Sequence, residues 1–191
     1  MKIYVARHGQ TRLNAENRVC GSTDIPLTET GLRQAQRLAE NARDKGIEVI
    51  IASDMIRARQ TARAVAERLG LPVETDHRLR EQDFGRYEGS DRDDPVYQAE
   101  KRKFAHSHFG GESIMKLAQR VYNRMDEIVE KYSGRTVLIV CHGGVCRMAH
   151  MYFRYLDNEA FWLYRIPNAG IHVYDTELLE RQEEKRNETE L

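Results

Sequence analysis

The segment that most constrains the fold is Thr136–Cys141, whose sequence TVLIVC is an almost unbroken apolar run of six residues. A run this short and this apolar is typical of a strand in a parallel sheet, because such strands are buried on both faces. A strand of that kind requires neighbouring strands at both edges and helices above and below. The run therefore predicts an α/β domain.

The rest of the chain alternates short β-rich runs with amphipathic helical runs. Further strands are predicted at 2–6, 49–52 and 71–75, with Pro72 placing the last at an edge, and helices at 28–45, 54–69, 96–104, 113–132 and 144–156. Thr28 is the expected N-cap of the first helix and Gly46 its stop, and Ser53 or Asp54 is expected to cap the second. A final pair of strands, 162–166 and 171–174, is expected to flank a turn at 167–170.

This order predicts one three-layer α/β/α domain over residues 1–176, with a mostly parallel central sheet. The stretch at about 84–112 is rich in charged residues, glycine and proline and is interpreted as a lid insertion. Residues 177–191 form a charged C-terminal tail to which no function is assigned.

The composition narrows the possible partners. Lysine plus arginine equals aspartate plus glutamate at 30 each, so no overall basic field recruits nucleic acid, and any anion must be bound locally. No apolar run reaches the length of a membrane span and no signal peptide precedes the first strand. Three cysteines form no disulfide framework, which favours a reducing cytoplasm. Cys141, His142, Cys146 and His150 are close in sequence and include zinc-binding residue types, but their spacing fits no usual structural zinc pattern, so no metal is predicted.

Unusual residues follow three of the predicted strands. Arg7-His8-Gly9 comes after the first strand, Arg57 lies in the first turn after the strand at 49–52, and His142-Gly143-Gly144 follows TVLIVC. Ligands of open α/β sheets bind beyond the carboxyl ends of the strands. If these strands are parallel, two histidines and two arginines meet at one edge.

Such a set suits phosphoryl transfer. Arginines offer planar, permanently charged forks that match phosphate oxygens, and a neutral imidazole such as that of His8 can attack phosphorus to give a phosphohistidine. His142 is expected to donate hydrogen bonds to the transferring oxygens. Glu81, whose carboxyl pKa a bound phosphate would raise, is the candidate general acid. Each residue alone has an ordinary explanation, such as a surface arginine or a tight turn, and it is the joint placement that indicates a site.

The motifs resemble those of the histidine phosphatase superfamily, also called phosphoglycerate mutase-like. Its signature segments are matched in order at 7–14 (RHGQTRLN), 24–35, 53–62, 79–89, 110–113 and 140–144. The resemblance implies His8 as the phosphorylated nucleophile, Arg7, Arg57 and His142 as the phosphate pocket, Glu81 as the proton donor and Asn14 as a further contact. It implies no cofactor and no metal. Cys20, Gly21 and Gly143 are also expected among the substrate-binding residues.

Several functions remain open at this point. The compact segment after Glu81 looks more like the phosphatase branch than a cofactor-dependent mutase, so hydrolysis of a small phosphorylated metabolite, as by an α-ribazole or broad-specificity phosphatase, is the expected function. A phosphoglycerate mutase, a non-catalytic phosphoprotein-binding domain and a metal-dependent hydrolase are the alternatives, and a homodimer is left open. The lid offers possible contacts for a second anionic group of the substrate, although a solvated helix explains the same charges: Arg92, Lys101, Arg102, Lys103, His106 and His108.

Overall fold

The computed structural model describes residues 1–107 and 110–177. Its five strands are β1 (Lys2–Arg7), β2 (Val49–Ser53), β3 (Val73–Asp76), β4 (Thr136–Cys141) and β5 (Ile171–Asp175). They form one sheet in the order β3-β2-β4-β1-β5. Strands β1 to β4 run parallel, and β5 pairs antiparallel with β1 at one edge. The TVLIVC run is the central strand and β3 is an edge strand, both as predicted.

Seven α-helices accompany the sheet in the described part of the chain: α1 (Arg12–Ala15), α2 (Glu29–Ala42), α3 (Ile56–Leu69), α4 (Pro95–Glu100), α5 (Ile114–Lys131), α6 (Gly143–Phe153) and α7 (Asn158–Leu163). Successive side chains of a strand point to opposite faces. Val137 and Ile139 of β4 accordingly pack into a core with α5, α6 and α7. Leu138 and Val140 pack into a second core with α2 and α3. The predicted α/β/α layering is confirmed.

The predicted N-cap is present at the start of α2 but not at the start of α3. The Thr28 side chain accepts a hydrogen bond from the Gly31 backbone N–H at 3.0 Å, as predicted for the N-cap of α2. Helix α3 begins later than expected, and neither Ser53 nor Asp54 caps it. Asp24 instead accepts a hydrogen bond from the Ile56 N–H at 2.8 Å, and the Ser53 hydroxyl accepts a long one from the Met55 N–H at 3.4 Å.

The predicted strand at 162–166 is wrong. Residues up to Leu163 belong to α7, which Asp157 caps by accepting a hydrogen bond from the Ala160 N–H at 2.8 Å. Phe161 fills the core from this helix, and the edge of β1 is occupied by β5. A short, mainly apolar run such as WLYRI does not distinguish a helix from a strand. The predicted turn is present, with the Gly170 N–H bonded to the Pro167 carbonyl at 2.8 Å.

The segment 84–112 contains a 3-10 turn at Gly85–Tyr87 and helix α4, which ends at Glu100 rather than at Phe104 as predicted. The first part of this segment is attached to the loop between α1 and α2 by backbone hydrogen bonds of 2.9 Å that join Val19 to Gly89 and Ser90. His108 and Phe109 lie outside the described residues, as does the predicted tail after Glu177. No helix within residues 1–107 and 110–177 is long and apolar enough to cross a membrane.

A buried ion-pair cluster joins α5 to the edge strand β3. The Arg124 side chain is almost fully buried. Its guanidinium pairs with Glu74, lies 2.9 Å from an Asp76 oxygen through Nε, and donates to Glu127 at 3.1 Å. Arg78 and Lys131 also contact these carboxylates, but Arg124 is the buried cation of the cluster. The cluster therefore holds the edge of the sheet to the helix layer.

We expect Arg124→Met to lower the free energy of unfolding by about 2 kcal/mol, because Asp76 and Glu74 lose a buried charged donor and keep only the more exposed Arg78 and Lys131. Urea denaturation at neutral pH measures the change. The control is Arg63→Met, which removes a solvent-exposed pair with Glu67 and should cost less than about 1 kcal/mol. Equal losses in the two variants would show that burial of the Arg124 cluster does not increase its contribution to the free energy of unfolding.

Candidate active site

Three parallel strands deliver the predicted residues to one edge of the sheet. β1 ends at Arg7, β2 at Ser53 and β4 at Cys141, and the His8 N–H bonds to the Cys141 carbonyl at 2.9 Å just beyond the strand ends. The rings of His8 and His142 lie 5.1 Å apart between centroids. His8, Arg57 and His142 are 3%, 0% and 0% exposed, so the site is built from buried groups.

The tautomer of His8 follows from its hydrogen bond. Nδ1 lies 2.6 Å from the Gly9 carbonyl oxygen, and since a carbonyl only accepts, Nδ1 must carry the proton. The neutral ring then has its lone pair on Nε2. Burial, followed by the positive charges of Arg57 and Arg7, holds the pKa of His8 well below its ordinary value. His8 is therefore a neutral imidazole with an unprotonated Nε2.

Arg57 is held by neutral acceptors. Its Nη1 and Nη2 donate to the carbonyls of Thr23 and Gly21, each at 2.8 Å, and its Nε donates to Nδ1 of His142 at 3.2 Å. These bonds use three of the five N–H groups of a guanidinium, and the acceptors carry no negative charge. The predicted residue Gly21 thus acts here through its carbonyl, as an anchor for Arg57.

The loop that carries those carbonyls is fixed by one carboxylate. Glu88 accepts hydrogen bonds of 2.9–3.2 Å from the backbone N–H groups of Gly21, Ser22, Thr23 and Phe84. It also accepts from the Thr23 hydroxyl at 2.7 Å. A carboxylate bound by so many donors fixes the loop geometry. Glu88 therefore positions Arg57 indirectly.

His142 differs in orientation from the sequence-based expectation. Because its Nδ1 accepts from Arg57, its Nε2 carries the proton and donates to the Ser53 hydroxyl at 2.8 Å. In this arrangement the donor of His142 faces Ser53 rather than the space beside His8. Burial, then Arg57, His8 and Arg7, keep the pKa of His142 well below its ordinary value. Ser53 was missed as a site residue because it was interpreted as a possible helix cap.

A cavity of about 180 Å³ adjoins the site, and Arg7, Cys20, Glu81 and Gly143 are among the residues that line it. The Nη1 group of Arg7 donates to the Ile166 carbonyl at 3.0 Å, while its buried Nε has no partner among the described residues. An unsatisfied buried donor in a cavity wall indicates a ligand that accepts hydrogen bonds. His8, Arg57 and His142 are not among the lining residues.

Asn14 also lies away from the cavity lining and stabilises the turn after His8. Its side-chain oxygen accepts from the Thr11 N–H at 3.1 Å and from Asn168 at 3.3 Å. Asn168 in turn donates to the His8 carbonyl at 3.1 Å. Asn168 was predicted only as part of a turn, and its amide side chain gave no further signal in the sequence.

Glu81 faces the helix N-terminus that follows β4. Its carboxylate accepts from the Gly144 N–H at 3.0 and 3.1 Å and from the Gln82 N–H at 2.9 Å. Arg120 of α5 fixes the segment that carries it, donating to the carbonyls of Arg78, Arg80 and Glu81 at 2.6, 2.7 and 3.1 Å. Arg120 was missed, since one arginine on an amphipathic helix carries no signal of such contacts.

The lid cations divide into two groups. Arg92 and Lys101 line the cavity, together with Arg147 of α6 and Arg165, neither of which was predicted. Lys103 and His106 instead contact Glu100. Arg102 lines an adjoining cavity of about 500 Å³ that shares Gln98, Lys101 and Arg165 with the first.

The cysteines and His150 do not converge in the manner of a metal site. The sulfurs of Cys141 and Cys146 lie 3.6 Å apart, but His150 bonds to the Tyr174 hydroxyl at 2.9 Å. Within the two described ranges, no three His, Cys, Asp or Glu side chains are grouped as metal ligands.

Comparison with known proteins places this geometry in a family. The family model of the histidine phosphatase superfamily (branch 1) matches residues 3–189. Proteins described as probable phosphoglycerate mutase GpmB, from Yersinia pestis and Yersinia pseudotuberculosis, are 37% identical over 150 residues, covering 75% of this chain and 70% of theirs. The structure of mycobacterial glucosyl-3-phosphoglycerate phosphatase with VO3 superposes with a TM-score of 0.82 and is 30% identical in sequence, and the match covers 91% of this chain and 90% of that one. The α-ribazole phosphatase from Shigella flexneri superposes with a TM-score of 0.79 and is 28% identical, and the match covers 92% of this chain and 90% of that one. This chain belongs to the histidine phosphatase superfamily.

Proposed function

We propose that this chain is a phosphatase that hydrolyses small phosphate monoesters through a phosphohistidine on His8. The observation that carries the proposal is the hydrogen bond between Nδ1 of His8 and the Gly9 carbonyl. It leaves Nε2 as an unprotonated nucleophile in a site whose cations, Arg7 and Arg57, attract a phosphate dianion. The arginines offset the phosphate charge as it redistributes in the trigonal transition state.

The reaction then proceeds in two displacements. In the first, Nε2 of His8 forms a bond to phosphorus while the ester P–O bond breaks, and the protonated Glu81 carboxyl gives its proton to the departing oxygen. In the second, water attacks the phosphohistidine, the P–N bond breaks, and Glu81 takes a proton from the water. Inorganic phosphate leaves and His8 returns to its neutral form.

A phosphoglycerate mutase is the second candidate, and the 37% identity to the Yersinia proteins favours it. Two observations favour hydrolysis. The solved phosphatase structures superpose on about nine-tenths of this chain, and the segment after Glu81 is compact. The two reactions differ in whether water or a second hydroxyl receives the phosphoryl group.

Wild-type protein mixed with a phosphomonoester should form an acid-labile, base-stable phosphohistidine that His8→Ala abolishes. A panel of monoesters followed by phosphorus NMR, with EDTA present, should show inorganic phosphate released only when His8 is intact. His77→Ala, which removes an exposed histidine, is the matched control. Conversion of 3-phosphoglycerate to 2-phosphoglycerate without phosphate release would establish the mutase. A protein that binds phosphomonoesters but forms no phosphohistidine would be a non-catalytic binding domain.

Arg120→Lys should impair proton donation by Glu81, because a single ammonium cannot hold three carbonyls as the guanidinium fork does. We expect kcat for glycerol 3-phosphate, whose alkoxide leaving group needs a proton, to fall by about tenfold or more. The kcat for p-nitrophenyl phosphate, whose leaving group departs as a stable anion, should fall much less. Glu81→Gln should show the same leaving-group pattern more strongly, and Arg33→Lys, on the exposed surface of α2, should show neither effect. Equal losses for both substrates would indicate a general structural role for Arg120.

His8 should remain neutral near pH 6, about half a unit below the usual histidine pKa, because its pKa is lowered and the neutral form persists above the pKa. Nitrogen-15 NMR of the ring should show a protonated Nδ1 and an unprotonated Nε2 at that pH. His8→Gln and His142→Gln assign the resonances. An imidazolium pattern for His8 near pH 6 would contradict the nucleophile assignment.

A further inference from the structure

We propose that the cavity contains a second anion-binding site, formed by Arg147, Lys101 and Arg165 with Arg92, and that the preferred substrate is a phosphate monoester whose leaving group is itself anionic. This inference rests on the proposed function, since it names the substrate class for the same site. It draws on cations from three separate segments: the lid, α6 and the loop after α7.

The first argument is the charge of the cavity wall. Its lining contains five cationic side chains and only two acidic ones: Arg7, Arg92, Lys101, Arg147 and Arg165 against Glu81 and Asp93. The Asp93 carboxylate already accepts a hydrogen bond from Asn17 at 2.8 Å. Glu81 has the proposed proton-transfer role. Of these five cations, only Arg7 is assigned to the transferred phosphate. The cavity lining therefore has more positive charge than one phosphate group requires.

The second argument is that these cations have no carboxylate partner among the described residues. Arg147 stacks over the rings of Phe161 and Trp162, at 5.0 and 5.5 Å from their centroids, and its buried Nε has no hydrogen-bond partner there. Lys101 lies 5.6 Å over the Tyr97 ring. By contrast, Arg120 of the neighbouring helix α5 is paired with Glu112, and Arg124 of the same helix is paired with Asp76. The contrast indicates that a bound anion completes this cluster.

The third argument is the electrostatic state of Lys101. Burial, then the charges of Arg165, Arg147, Arg102 and Arg92, lower its pKa to about 8. Cations crowded in this way repel one another, and an anion bound between them would relieve that repulsion. The adjacent arginine Arg147 also has a lowered pKa, chiefly because it is buried.

The position of the cluster identifies what the anion belongs to. The ester oxygen that leaves must lie within hydrogen-bond reach of Glu81, so the leaving group extends from there into the rest of the cavity. That remainder is lined by Arg147, Lys101 and Arg165. The second anion is therefore part of the leaving group rather than part of the transferred phosphate.

Binding measurements in His8→Ala test the proposal, because they need no turnover. The ligands are 3-phosphoglycerate and sn-glycerol 3-phosphate, which differ by a carboxylate in place of a hydroxymethyl group. By isothermal titration calorimetry, 3-phosphoglycerate should bind about tenfold more tightly or better. A second pair, fructose 1,6-bisphosphate and fructose 6-phosphate, shows whether a phosphate is preferred to a carboxylate as the second anion. Preference for the doubly anionic member of either pair supports the proposal.

The variants then locate the preference. Arg147→Gln should reduce it to about threefold or less, and Lys101→Gln should do the same while leaving the packing against Phe161 and Trp162 intact. Lys103→Gln, which removes the partner of Glu100 outside the cavity, should retain the full preference. Equal affinities within both ligand pairs, or a preference unchanged in folded Arg147→Gln and Lys101→Gln proteins, would overturn the proposal. Affinity is measured without catalysis, so these results remain interpretable if no phosphohistidine can be trapped. Equally, a trapped phosphohistidine would support the proposed function even if the second anion had no effect on affinity.

Discussion

The site depends on a fully buried guanidinium that is held without a carboxylate. Arg57 is 0% exposed, and its partners are two carbonyl oxygens and a neutral imidazole. A buried charge is costly unless it is hydrogen-bonded and compensated. Carbonyl dipoles satisfy part of that requirement here and leave the positive charge uncancelled. Burial, together with this charge, lowers the pKa of both neighbouring histidines and keeps them neutral, so the group that would bind phosphate also helps to prepare the nucleophile.

Two residues outside the cavity lining, Glu88 and Arg120, fix the loops that carry the partners of Arg57 and the carboxyl of Glu81. Glu88 binds three backbone N–H groups of the loop that supplies the carbonyls for Arg57, and a fourth from Phe84. Arg120 binds three carbonyls of the segment that carries Glu81. Each charged group is satisfied by backbone polar groups of opposite partial charge, which loops leave unpaired. The loops around the site are therefore rigid where the chemistry requires it, although they contain little regular structure.

The sequence predicted the features that arise from local pattern. TVLIVC identified the central strand, and residues following strand ends identified His8, Arg57 and His142, because parallel strands necessarily align their carboxyl ends. It could not predict α7, because the short apolar run at 162–166 also fits a strand, nor the contacts of Ser53, Arg120 and Arg147. Those contacts join residues far apart in sequence. Their side-chain types are also common on any surface, so only the three-dimensional packing reveals them.

The chain has equal numbers of acidic and basic residues, yet the charges are not paired uniformly. Surface arginines such as Arg63 and Arg80 have carboxylate partners, whereas Arg7, Arg57 and Arg147 meet mainly carbonyls, rings and neutral imidazole. An exposed ion pair is screened by water and salt and presents little net charge to a distant anion. Unpaired cations in a narrow cavity instead act at short range and in a medium less polar than water, where an anion of matching shape gains most. Under the proposed function, this arrangement favours anions small enough to enter the cavity, and the positive charge at the leaving-group end would select among them.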